Sequence, residues 1–211
     1  MATKKELEKR SYLCDVRAET TNAGNVITGR PIVFGERTDL GYFDEIIEPG
    51  ALDGTDLTDV RFLVNHDTSK IPLARSRKNN GNSTMQLVVD PQGLQIFATL
   101  DTENNADARA LWSAVNRGDI TGMSFMFSIN GRSWENEESD HPTRRITSIG
   151  SVVEVSACTF PAYPTTSINA RSDNGALESA RLELESLRER RAKEVETSKD
   201  IELLKARISL L

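Results

Sequence analysis

Two cysteines and two histidines in 211 residues leave little material for several kinds of chemistry. Cys14 and Cys158 are too few for a disulfide framework or a zinc cluster, and such sparing use predicts an intracellular, reducing compartment. No run approaches the roughly 18 consecutive apolar residues that a membrane-spanning helix needs, so no membrane partner is expected. The first ten residues, MATKKELEKR, carry positive charge but lead into no apolar stretch of the signal-peptide kind. Aromatic residues make up 6% and hydrophobic residues 37%, while charged residues reach 27%, a balance that suits a water-exposed domain with a polar appendage. Positive charge is in deficit, at 26 Lys and Arg against 32 Asp and Glu, and the net −6 argues against nucleic acid as a partner.

The deficit is uneven. Residues 171–211 hold nine basic and nine acidic side chains, so the net charge belongs to residues 1–170. The same segment has no proline, no aromatic residue and a single glycine, Gly175. Composition therefore divides the chain into a body, 1–170, and a charged tail, 171–211. In the tail Leu177, Leu184 and Leu187, and later Ile201, Leu204, Ile208 and Leu211, recur at helical spacing. The apolar seam thins to Ala192 and Val195 between them, which predicts two helical pieces in need of a partner rather than one continuous coiled coil.

The body reads as strand-rich. Tyr12, Cys14 and Val16 alternate with polar neighbours, a second strand is predicted over residues 26–34, and Val60, Phe62 and Val64 share one parity. Met85, Leu87 and Val89 lead into Asp90-Pro91-Gln92-Gly93, and Leu94, Ile96 and Ala98 return, which predicts a hairpin. Ala108, Leu111, Trp112 and Val115 mark one helix, stopped by Gly118. A strand through Met123, Phe125, Phe127 and Ile129 follows, then a polar surface excursion over 134–145 and a further strand over 146–160. The expected class is mostly β with helices, α+β, with a closed or nearly closed sheet.

Few residues can carry chemistry. His66 ends the Val60–Val64 run on its apolar parity, where a hydrogen-bonded core histidine is the ordinary reading and a general base the alternative. Ser124 points away from Met123, Phe125 and Phe127, on what would commonly be the wet face of a half-buried strand. Glu154 interrupts Val152, Val153 and Val155, and a carboxylate among them is costly unless it is paired, for which an imidazole N–H would serve. A hydroxyl, an imidazole and a buried carboxylate are the parts of a serine-hydrolase site, although spacing alone does not assemble them. Asp67 would point away from its neighbour His66, His141 sits in a polar loop, and neither histidine has the context of a metal ligand. No cofactor or metal is implied. Arg144-Arg145 is a weak candidate region for an oxyanion hole, with a charged strand edge as the plainer reading.

Three segments in order are Val64-Asn65-His66-Asp67, Gly122-Met123-Ser124-Phe125-Met126-Phe127, and Glu154-Val155-Ser156-Ala157-Cys158-Thr159-Phe160-Pro161-Ala162-Tyr163-Pro164. With Gly29-Arg30-Pro31-Ile32-Val33-Phe34 and Ile47-Glu48-Pro49-Gly50-Ala51, they give a set that resembles the prohead maturation protease of tailed bacteriophages. That family is distantly similar to herpesvirus assemblins, which implies a compact closed β-barrel flanked by helices. The resemblance implies a serine endopeptidase with Ser124 as nucleophile, His66 as base and Glu154 as the third member. A second histidine, His141, lies outside the matching segments, whereas Glu154 lies within one.

The implied substrates are scaffold segments of the major capsid protein and the protease itself, acting in the host cytoplasm inside the procapsid. The protease would then be absent from the mature virion or fragmentary in it. Assemblins act as dimers, which implies a weak homodimer here. Two rival readings use the same residues: a non-enzymatic capsid scaffold or assembly protein, and a cysteine protease using Cys158 with His66. Cys158 sits in an apolar strand without nearby positive charge, where a thiol stays protonated.

Overall fold

The computed structural model describes residues 7–159 and 174–208. Its first half contains β1 (Glu8–Leu13), β2 (Arg17–Thr21), β3 (Gly24–Val33), β4 (Arg37–Asp39), β5 (Asp44–Ile47), β6 (Asp59–Val64) and β7 (Ala74–Arg77). There follow β8 (Met85–Asp90), β9 (Gly93–Leu100), α1 (Ala106–Asn116), β10 (Gly122–Glu135), β11 (Thr143–Cys158) and α2 (Asn174–Ile208). The described residues are mostly β with two helices, an α+β arrangement, and no helix among them is long and apolar enough to cross a membrane.

Local chemistry accounts for the predicted elements. β8 and β9 pair antiparallel from Met85↔Ala98 to Asp90↔Gly93, and Asp90 Oδ1 accepts the N–H groups of Gln92 and Gly93 to hold the turn. Arg30 clamps the same carboxylate with two bonds of 2.7 Å, tying β3 to the hairpin. Helix α1 starts at Asn105, whose side chain accepts from Asp107 N and Ala108 N, and buries Ala108, Leu111 and Val115. It ends at Gly118, where φ is +77° and the Gly118 N–H returns to the Val115 carbonyl. Gly29 is crowded for a different reason: a Cβ there would press on Met123 Sδ, and the bare backbone lets Met123 pack across β3.

Two sheets enclose the core. The larger has the order β1-β10-β11-β5-β4, with β6 pairing β11 and β7, and the smaller has the order β2-β3-β9-β8. Phe62, Phe125, Val155 and Ile146 from the first meet Ile27, Ile32, Leu94 and Ile96 from the second, with Leu111 and Val115 of α1 in the same cluster. The expected closed barrel is not what the ladders describe. Between β7 and β8 side chains replace backbone carbonyls as acceptors, Thr84 Oγ1 for Arg75 N–H and Ser83 Oγ for Arg77 N–H, so the ladder breaks into two sheets. The Tyr12–Val16 alternation also breaks, because the chain leaves one sheet after Leu13 and enters the other at Arg17.

Two further expectations are corrected. The 134–145 segment is mainly sheet, with β10 running to Glu135 and β11 starting at Thr143. The tail is one helix, α2, rather than two pieces, and its first turns are docked on the body. Leu177, Ala180 and Leu184 pack on Leu40, Phe43 and Trp134, and Arg132 pairs with Glu183 at 2.6 Å. With half-buried Leu187 these residues are the covered stripe that the leucine spacing predicted, while α2 beyond Arg188 is exposed wherever its side chains are described. The compositional boundary at 171 and the segment from Phe160 to Pro164 lie outside the described residues.

A buried ionic group fixes β1, β5 and β11 together. Arg10 bonds Glu45 at 2.6 and 2.9 Å and Glu8 at 2.5 Å, and Arg144 bonds Glu8 at 2.8 Å and also Glu45. Burial pushes the Glu45 carboxyl pKa up, but the Arg10 and Arg144 guanidinia outweigh it and hold the group at about 2, below the usual 4.5. Because the folded value is depressed, this contribution to stability is complete above about pH 4.5 and is lost as pH falls from there towards 2. Glu45→Gln should destabilise the fold by about 3–5 kcal/mol in urea unfolding at pH 7, because two buried guanidinia lose their shared carboxylate. The same variant should flatten the acid limb of the stability–pH profile.

Candidate active site

Three strands carry the candidate residues. β10 and β11 pair antiparallel with Ser124 opposite Ser156 and Met126 opposite Glu154. β6 runs parallel to β11 on its other edge, with Leu63 opposite Ser156 and Val64 opposite Ala157. Past Val64 the chain does not continue as a strand. Asn65 and His66 are both left-handed, with φ of 52° and 58°, a conformation that costs on the order of 1–2 kcal/mol for a residue with a Cβ. Asn65 tolerates it best of the non-glycine residues and is held there by its N–H to the Ala157 carbonyl. Its side chain accepts from Thr159 N–H at 3.0 Å and donates to Thr159 Oγ1 at 2.8 Å. This turn swings the imidazole back over β11, which a parity argument along an extended strand could not anticipate.

The structure brings the three candidates together. His66 Nδ1 lies 2.6 Å from Glu154 Oε2, and Nε2 is hydrogen-bonded to Ser124 Oγ. With Glu154 accepting a hydrogen bond from Nδ1–H, Nε2 of a neutral imidazole is left as an acceptor facing the serine. Ser124 and Glu154 are buried, at 0% and 3% exposure, so the hydroxyl is not on a wet face as its parity suggested. β10 is covered on both sides here. The other Glu154 oxygen accepts from Ser156, whose Oγ in turn accepts the His66 backbone N–H at 3.0 Å. Ser156 thus ties the carboxylate to the backbone of the residue it orients. Ser124 Oγ also lies 2.6 Å from the Arg10 carbonyl oxygen, to which it can donate.

The remaining candidates fall elsewhere. Asp67 bonds Ser69 and is exposed. His141 Nε2 is 3.1 Å from Asp44 Oδ1, away from the three-residue chain. Ligand atoms of Asp39, Asp44 and His141 lie within 4.8 Å of one another, but Arg37 already pairs with Asp44 at 2.6 Å and supplies the positive charge there. Arg144 is committed to the buried ionic group, and Arg145 to Glu48 and Glu135. Cys158 is buried opposite Gly122, and burial pushes the nearby Cys14 thiol up to about 11. A cleft of about 400 Å³ opens beside His66, between the end of β6 and α1, lined by Val64, Asn65, Ile71, Leu111 and Ala114.

Ser156 and Asn65 support the candidate site and carry no role in the sequence analysis. Ser156 shares the parity of Glu154 two residues away, which was a readable signal. Asn65 was readable only as a residue that tolerates a left-handed turn. Asn65→Ala should destabilise the protein by about 2–3 kcal/mol in urea unfolding, combining the left-handed cost with lost bonds to Thr159. Asn65→Gly, which keeps the backbone geometry, should recover about 1 kcal/mol of that loss.

Comparison with known proteins adds one independent finding. A family model described as caudovirus prohead serine protease matches residues 13–179, which contain His66, Ser124 and Glu154. No curated protein and no solved structure gave a match. The match spans most of the chain, so this chain belongs to the caudovirus prohead serine protease family.

Proposed function

We propose that the protein is the serine endopeptidase of a phage prohead, with Ser124 as nucleophile, His66 as general base and Glu154 as the group that orients it. The observation that supports this reading is the imidazole held between Ser124 Oγ and Glu154 Oε2. His66 Nε2 takes the hydroxyl proton as Ser124 Oγ adds to the scissile carbonyl, and gives it to the leaving amine as the tetrahedral intermediate collapses. Water then hydrolyses the acyl-enzyme by the same base. Glu154, buried and bonded to Ser156, stabilises the imidazolium formed in each step and keeps the proton on Nδ1.

The substrates in this reading are the scaffold segments of the major capsid protein and the protease's own tail, cut inside the procapsid. The charged helix serves as the packaging contact, with residues 1–170 as the catalytic unit. Because Leu177, Ala180 and Leu184 are docked on the body, the part of the tail free to meet scaffold or shell begins further along α2. Removal of residues 190–211 should therefore prevent incorporation into proheads while sparing peptide hydrolysis, as read by gel analysis of purified proheads and a peptide assay. Removal of 171–211 should in addition lower stability.

Co-expression with the capsid protein, followed by mass spectrometry of the products, tests the chemistry. Ser124→Ala should lower cleavage by roughly 10⁶-fold, and Glu154→Gln by roughly 10⁴-fold, with assembly intact. Unchanged cleavage in Ser124→Ala would overturn the serine assignment and turn attention to Cys158. Absence of cleavage by the unmodified chain would favour a non-enzymatic scaffold or assembly role.

A further inference from the structure

Ser124 is fully buried, yet a nucleophile must reach a carbonyl carbon at about 3–3.5 Å. On one side lies β11, with Ser156 opposite Ser124 in the ladder. On the other lies β1, an edge strand that pairs antiparallel with β10 and sets Ser11 opposite Ser124. The Arg10 carbonyl oxygen is 2.6 Å from Ser124 Oγ, in the space a scissile carbonyl would need. The hydroxyl has one proton, and Arg10 O competes for it with His66 Nε2. β1 therefore blocks the serine in two ways, by filling the approach and by offering the hydroxyl a second acceptor.

β1 is held in place from both of its buried side chains. Arg10 is gripped by Glu45 and Glu8 by Arg144, and half-buried Tyr12 stacks on Phe125 of β10, while Lys9, Ser11 and Leu13 are partly or largely exposed. These two side chains carry opposite charges, so their departure leaves Glu45 and Arg144 paired with each other, as they already are. The strand can leave without stranding a buried charge. The family match begins at residue 13, so the three candidate residues lie inside it and nearly all of β1 lies before it.

We infer that β1 is an autoinhibitory strap: it occupies the edge of β10 where an extended peptide substrate must add as a strand, and the enzyme works only when the strap is displaced. The inference rests on Ser124 being the nucleophile. Strand addition at an open sheet edge is a general way to hold an extended peptide, and β10 is the strand whose edge flanks the serine. The strap thus keeps a folded, correctly assembled site silent.

The test cuts or locks the strap in the full-length, folded chain. A recognition sequence for a site-specific protease, inserted between Asp15 and Val16 in the link from β1 to β2, allows the strap to be released after folding. In a second variant, Lys9→Cys with Met126→Cys joins two residues that face each other across the β1–β10 ladder, locking the strap under oxidising conditions. Covalent capture of Ser124 by a fluorophosphonate is followed by mass spectrometry, with circular dichroism checking that each form stays folded. Cutting should raise the capture rate at least about tenfold, and the locked form should be captured slowest and recover on reduction. Equal capture in cut, uncut and locked forms would overturn the strap. So would no capture in any form, because release would then not open the serine. Whether the chain is a protease at all is read separately, from capsid-protein cleavage by the unmodified chain during assembly.

Discussion

The ladder of hydrogen bonds along β11 is the constraint from which the site follows. This strand pairs with β10 on one edge and, on the other, with β5 near its start and β6 near its end. Three chain segments far apart in sequence are thereby fixed at strand spacing. A slip of one residue in either register would turn Glu154 and Ser156 to the opposite face and remove the imidazole's partner. The precision needed to align a proton-transfer chain comes from backbone pairing in a buried sheet, which loops alone would not provide.

The polar groups in this buried region are connected rather than isolated. His66, Ser124, Glu154 and Ser156 share hydrogen bonds, and Arg10, Arg144, Glu8 and Glu45 form a second group with two charges of each sign. The first group would hold the chemistry, and the second joins strands β1, β5 and β11. Backbone atoms of Arg10 link the two, since its side chain belongs to the ionic group while its carbonyl touches the serine. Buried ion pairs contribute little net stability but penalise incorrect pairings heavily, so this group acts on the register of β1. The position of β1 over Ser124 is accordingly well defined, although β1 is an edge strand.

The tail and the body are less separate than composition suggested. A neutral, proline-free segment contrasts with an acidic body, but the opening turns of α2 complete an apolar cluster with Phe43 and Trp134, whose rings meet edge to face at 5.1 Å. The later turns present charged side chains to solvent. One helix therefore has a docked portion and a free portion.

The sequence by itself determined the strand-rich class, the Asp90–Gly93 hairpin and the α1 helix with its glycine stop, and it offered His66, Ser124 and Glu154 as candidates. These were legible because period-two alternation, capping residues and an odd carboxylate in a valine run are local signals. Tertiary structure decided what local signals do not carry. Parallel pairing of β5 and β6 on β11 joins segments some hundred residues apart, and no periodicity encodes a partner. The turn at Asn65 and His66 overrides strand parity because a left-handed pair redirects the chain. Burial of Ser124 arises because His66, from the turn after β6, and the Arg10 backbone of β1 close on it, and these meet only in the folded state. The closed barrel suggested by resemblance gave way to two sheets because Ser83 and Thr84 hydroxyls stand in for backbone carbonyls at the seam.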